Sequence, residues 1–79
     1  MKVYIKAGGQ LRPMIKPDVD HFTRSLEFEG ERTIAEILKL IPLDPAYIAF
    51  VYIESKIRDL NFKPSDGQII TLQPPVSGG

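Results

Sequence analysis

The segment from Thr33 to Ile41 constrains this chain more than any other. Thr33 followed by Glu36 is the pattern of a capping box, in which the hydroxyl accepts from the Glu36 amide and the carboxylate accepts from the Thr33 amide. Ile34, Ile37, Leu38 and Ile41 then fall at i, i+3, i+4 and i+7, a single apolar stripe along a helix. Pro42 and Pro45 cut the pattern, so the helix is expected from Thr33 to about Leu40 or Ile41. Leu40 lies off the stripe and is expected to be half exposed. Burying the four stripe residues contributes about 6–12 kcal/mol before chain entropy is subtracted, an upper value because unfolded chains already hide some surface. A helix apolar along one side must lie on something, and the flanking segments read as strands.

Met1 to Lys6 alternates with period two, placing Val3 and Ile5 on one side and the lysines and Tyr4 on the other. Gly8-Gly9 breaks that strand. The stretch to about Arg24 carries Gly9, Pro13, Pro17, Asp18 and Asp20 and reads as a loop, with a short turn of structure at Leu11 to Ile15. Ser25 to Glu29 alternates again, with Leu26 and Phe28 inward. After the helix, Tyr47 to Ile53 is apolar on both faces and rich in β-branched and aromatic residues, which predicts a central strand covered on both sides. Lys56-Ile57-Arg58 reads as a short edge strand after a turn at Glu54-Ser55. Pro64-Ser65-Asp66-Gly67 is a strong turn, Gln68 to Gln73 a final strand, and Pro74-Pro75 stops the ladder for want of N–H donors. Two strands, one helix and three further strands make an α+β fold, a small mixed sheet with one main helix across one face. That order resembles the ubiquitin-like β-grasp.

Size and charge narrow the function. Seventy-nine residues make one domain, expected as a body over residues 1–73 and a tail over residues 74–79. The chain has no cysteine, so neither a disulfide nor a thiolate zinc site staples it. Ten basic and ten acidic residues cancel without forming a run of either sign, which argues against nucleic acid as a partner. The longest apolar run, Ala46 to Ile53, is too short to span a bilayer. Met1 to Lys6 enters a strand pattern at once and not a signal-peptide core, so no membrane role and a cytoplasmic setting are expected.

Enzyme constellations are thin. His21 is the one histidine and sits in a loop without an identifiable serine or cysteine partner, which favours a solvated side chain over a general base. Asp18, Asp20 and His21 supply metal-ligand types within a few residues, but a lone cluster of this kind is usually a polar loop, and no metal is expected. Gly8-Gly9 lacks the lysine and spacing of a phosphate loop and reads as a turn. No catalytic residue and no bound cofactor are expected.

The tail carries the stronger signal. Pro74 and Pro75 favour an extended, polyproline-like course away from the body. The six residues Pro74 to Gly79 reach about 20 Å when extended, enough to enter a partner's pocket. Gly78 and Gly79 have no side chains, so the backbone can thread a narrow channel and present a bare carboxylate. The Asp66-Gly67 turn, the last strand and Pro74-Pro75-Val76-Ser77-Gly78-Gly79 resemble the C-terminal part of the small subunit of molybdopterin synthase, and more broadly the MoaD/ThiS group of ubiquitin-like sulfur carriers.

The resemblance implies a carrier. In that group an adenylating, E1-like enzyme uses ATP to activate the terminal glycine, here Gly79, and sulfur then replaces the adenylate to leave a thiocarboxylate. A synthase large subunit consumes the sulfur. Pro74, Pro75, Val76, Ser77 and Gly78 would be the residues that partner enzymes grip. By this resemblance the route is molybdenum or tungsten cofactor biosynthesis. Sulfur transfer for thiamine or for transfer RNA thiolation, conjugation to lysines as a ubiquitin-like modifier, and a plain binding module stay open beside it. A last expectation concerns the surface. One short helix cannot hide both faces of Tyr47 to Ile53, so one alternate set of its side chains should form an apolar, partner-binding patch on the sheet face away from the helix.

Overall fold

A computed structural model describes residues 1–75. Its strands are β1 (Lys2–Ala7), β2 (Thr23–Glu27), β3 (Phe50–Ile53), β4 (Lys56–Arg58) and β5 (Ile69–Gln73), and its helices are α1 (Arg12–Ile15) and α2 (Ile34–Leu40). The strands form one sheet in the order β2-β1-β5-β3-β4. β1 and β5 run parallel in its middle, and every other neighbouring pair is antiparallel. This is the expected mixed sheet with one main helix.

The alternation in β1 works as anticipated, with Val3, Ile5 and Ala7 buried. β2 lies two residues earlier than the sequence pattern suggested, Thr23–Glu27 in place of Ser25 to Glu29. The cause is the register with β1, which sets Val3 opposite Leu26 and Lys6 opposite Thr23. Leu26 is buried, and Phe28, just past the strand, packs half-buried against the core. The long connection before β2 is no bare loop. A 3-10 turn over Gly9–Leu11 and the short α1 drive Leu11 and Ile15 fully into the core. Arg24 donates to the carbonyl of Ile15 at 3.2 Å, satisfying one acceptor at the end of α1.

The helix start is the capping box read from the sequence: the Thr33 hydroxyl accepts from the Glu36 amide at 3.2 Å, and the Glu36 carboxylate accepts from the Thr33 amide at 2.9 Å. Two more N-terminal amides are satisfied from the β4–β5 connection, Ile34 donating to Phe62 and Ala35 to Leu60. Ile34, Ile37, Leu38 and Ile41 are buried, while Leu40 stays 43% exposed. They pack with Val3, Ile5, Val51, Ile53, Ile70 and Leu72 in one core between helix and sheet.

The segment expected as the central strand needs correction. Pro45–Tyr47 forms a 3-10 turn instead, because the Asp44 carboxylate accepts from the Ala46 amide and Pro45 presets the first turn position. Strand β3 therefore begins only at Phe50, and it lies fourth in the sheet, next to edge strand β4. The middle position belongs to β5. Among the described residues no helix is long and apolar enough to cross a membrane.

Candidate functional site

The root of the tail sits where β5 leaves the sheet. Gln73 pairs with Phe50 on β3, and its carbonyl accepts from the Ala49 amide at 2.8 Å. Pro74 and Pro75 bring no N–H groups, so the strand ends at Gln73 as expected. Pro74 is half-buried and Pro75 exposed. Val76, Ser77, Gly78 and Gly79 lie outside the described residues.

The start of β5 is fixed as firmly as its end. Gly67, at a φ of +84° that suits glycine, donates to the carbonyl of Lys2 at 2.7 Å, and the Asp66 carboxylate accepts from the Lys2 amide at 2.6 Å. The Asp-Gly turn thus ties the beginning of the last strand to the beginning of the first. The tail springs from a strand paired on both sides.

Beside this root lies the outer face of the sheet, opposite α2. Cross-strand register sets Tyr4 beside Ile69, and Lys6, Thr71, Tyr52 and Ile57 in one row, with Gln73 and Phe50 in the next. Phe50 is 49% exposed, Ile69 51% and Ile57 61%, while Val51 and Ile53 on the other face are buried. The Phe50 and Tyr52 rings lie 6.3 Å apart at 47°. The expected apolar patch is present, and Phe50 and Tyr52 are the set that faces out. Its orientation could have been found in β5, where the polar Thr71 and Gln73 share a parity with Ile69 and mark the outward side.

The loop residues considered for catalysis or metal binding have other employment. The Asp18 carboxylate accepts from the Ser25 amide at 2.8 Å, and that of Asp20 from the Phe22 amide at 2.8 Å. The Phe22 amide, and after it the Thr23 hydroxyl, hold the Asp20 carboxyl below its ordinary value. His21 is exposed, bonds to Arg12 through Nε2, and meets the Phe22 ring edge-on at 4.9 Å. Among the described residues no group of three histidine, aspartate or glutamate side chains is placed to hold a metal ion. Gly8 and Gly9 lead into the 3-10 turn, with the Gly8 carbonyl accepting from Leu11 at 3.2 Å.

No protein-family model and no curated protein matches this sequence. Among solved structures, the crystal structure of SAMP1 from Haloferax volcanii is similar over 100% of both chains, with a TM-score of 0.75 at 20% identity. The fold is a ubiquitin-like β-grasp.

Proposed function

We propose that this chain is a sulfur carrier whose C-terminal glycine, Gly79, is adenylated and converted to a thiocarboxylate. One observation carries the reading: a Pro74-Pro75-Val76-Ser77-Gly78-Gly79 sequence leaves a ubiquitin-like β-grasp directly from the end of its middle strand. A carboxylate is a poor electrophile. An E1-like partner lets the Gly79 carboxylate attack the α-phosphorus of ATP, releasing pyrophosphate and forming an acyl-adenylate. Hydrosulfide supplied by a partner then attacks the carbonyl carbon and AMP leaves, so that Gly79 ends as a thiocarboxylate. The thiocarboxylate passes its sulfur on within an acceptor such as a synthase large subunit. The carrier needs no cysteine and no catalytic residue of its own.

The body, residues 1–73, holds the tail and offers a docking face, while residues 74–79 enter the partner. The outer patch of Phe50, Tyr52 and Ile69 adjoins the tail root at the Phe50–Gln73 pair, so one partner can cover the patch and receive the tail together. Within the carrier reading we place the chain in molybdenum or tungsten cofactor biosynthesis in the cytoplasm, on the Pro-Pro-Val-Ser-Gly-Gly ending. Conjugation to lysines through the Gly78-Gly79 ending that follows a ubiquitin-like β-grasp is the second reading.

Intact-mass analysis of the protein from its native cells separates these readings. A gain equal to one oxygen-for-sulfur exchange, mapped to the C-terminal peptide, is expected for the carrier. Tails joined to lysine side chains, with no thiocarboxylate, would replace it with the modifier. Co-purification with a pterin synthase subunit tests the route.

A further inference from the structure

The two edges of the sheet are treated differently. At β2 the Thr23 carbonyl accepts from Asp18 at 3.0 Å and from Val19 at 2.9 Å, while the Asp18 carboxylate takes the Ser25 amide. Residues 18 and 19 thus occupy the place of a further strand and close that edge. β4 forms the other edge of the sheet. The turn before it is two residues long, Glu54 and Ser55, with φ of 53° and 66°. Ile53 and Lys56 flanking such a turn exchange backbone hydrogen bonds, and the next pair, Tyr52 and Ile57, does not. The N–H and C=O of Ile57 therefore point out of the sheet.

The side chains along β4 add a pattern. Ile57 is exposed on the outer face, and Lys56 and Arg58 flank it on the other. The nearest acids are engaged: Glu54 accepts from Gln68 at 3.1 Å, and Asp59 from the Asn61 amide at 2.8 Å. Arg58 stacks over Phe62 at 4.5 Å, and its buried Nε has no partner among the described residues. A groove of about 250 Å³ continues from the open end of the hairpin, lined by Ile48, Ala49, Phe50, Arg58 and Leu60.

We propose that β4 is a docking edge for an extended strand of a partner protein in which an apolar residue lies between two acidic ones. A strand added there exchanges backbone bonds with Ile57 and sets its central side chain beside Ile57. Its neighbours fall beside Lys56 and Arg58, where opposite charge stabilises the pairing and like charge opposes it. A second copy of this chain, bringing its own β4, would set lysine and arginine against one another. An acidic strand meets both favourably. The proposal is independent of the tail chemistry.

The test uses the full chain, isotope-labelled for amide NMR, and a blocked nine-residue peptide with a glutamate–isoleucine–glutamate centre between serine and glycine flanks. Shifts centred on 56–58, with slowed exchange of the Ile57 amide, are expected. Lys56→Glu should weaken binding about fivefold or more and shift preference to a glutamate–isoleucine–lysine peptide, whose lysine falls beside position 56 in antiparallel pairing while its glutamate stays beside Arg58. A peptide methylated on its central amide nitrogen keeps every charge but cannot donate to Ile57, and it should lose binding to the unaltered protein. Equal binding of the methylated peptide, shifts confined to Phe50, Tyr52 and Ile69, or no shifts with the parent peptide would overturn the proposal.

Discussion

Phe50 and Gln73 face each other at the last register position of β3 and β5, with the Phe50 ring half exposed and the tail leaving immediately after Gln73. This pairing places the apolar patch and the tail root side by side. A substitution on one can therefore be compared with a truncation of the other.

Removing Gly79, or adding a residue after it, is expected to abolish adenylation while leaving the fold unchanged. The core residues that hold β5, Ile70 and Leu72, lie before the tail root and do not depend on the last residue. ATP–pyrophosphate exchange with a cognate activating enzyme measures this. Normal exchange by the shortened chain would remove the basis of the carrier reading.

On the outer face, Phe50→Ser and Ile69→Ser should each cost on the order of 1 kcal/mol of stability, because about half of each side chain is in water and the rest packs on the sheet. Binding to the activating partner should fall by more than about tenfold if either is a central anchor of the interface. Calorimetric titration alongside thermal unfolding distinguishes the two effects. Unchanged affinity for both variants would move the docking face elsewhere.

In the core, Ile37→Ala should destabilise the fold by about 2–5 kcal/mol, since the side chain is fully buried and its loss leaves a cavity between α2 and the sheet. Urea unfolding measures it. A loss well under 1 kcal/mol would contradict the packing.

At the helix start, Thr33→Ala should cost about 1 kcal/mol through loss of the cap. The Thr33 amide, and after it the Thr33 hydroxyl, hold the Glu36 carboxyl below its ordinary value of 4.5. A carboxyl depressed in the folded state contributes stability above its unfolded value, and that contribution is lost as pH falls through the folded value. The first turn of α2 should accordingly loosen on acidification below about pH 4.5, an effect that Glu36→Gln removes and Thr33→Ala only reduces, because alanine keeps the backbone amide that donates to the carboxylate. Amide exchange at Thr33 and Glu36 as a function of pH follows the change.

Chemistry that acts over a few neighbouring residues could be read directly from the sequence. The Thr33–Glu36 box, the Ile34-Ile37-Leu38-Ile41 stripe, the Asp66-Gly67 turn and the halt at Pro74 each involve residues close along the chain, and each is found in the structure. The helix with strands on both sides was enough to indicate the fold. Long-range pairing decided the rest. Tyr47 to Ile53 has the composition of a middle strand, yet the Asp44-capped turn removes its first half and β5 takes the middle place between β1 and β3. Composition reports that a segment prefers burial; it does not report which partner will bury it. The outward direction of Phe50 and Tyr52 depends on a register in which a one-residue slip exchanges the faces. The closing of the β2 edge by Asp18 joins residues seven apart across an irregular loop, and only the folded backbone brings that carboxylate to the Ser25 amide.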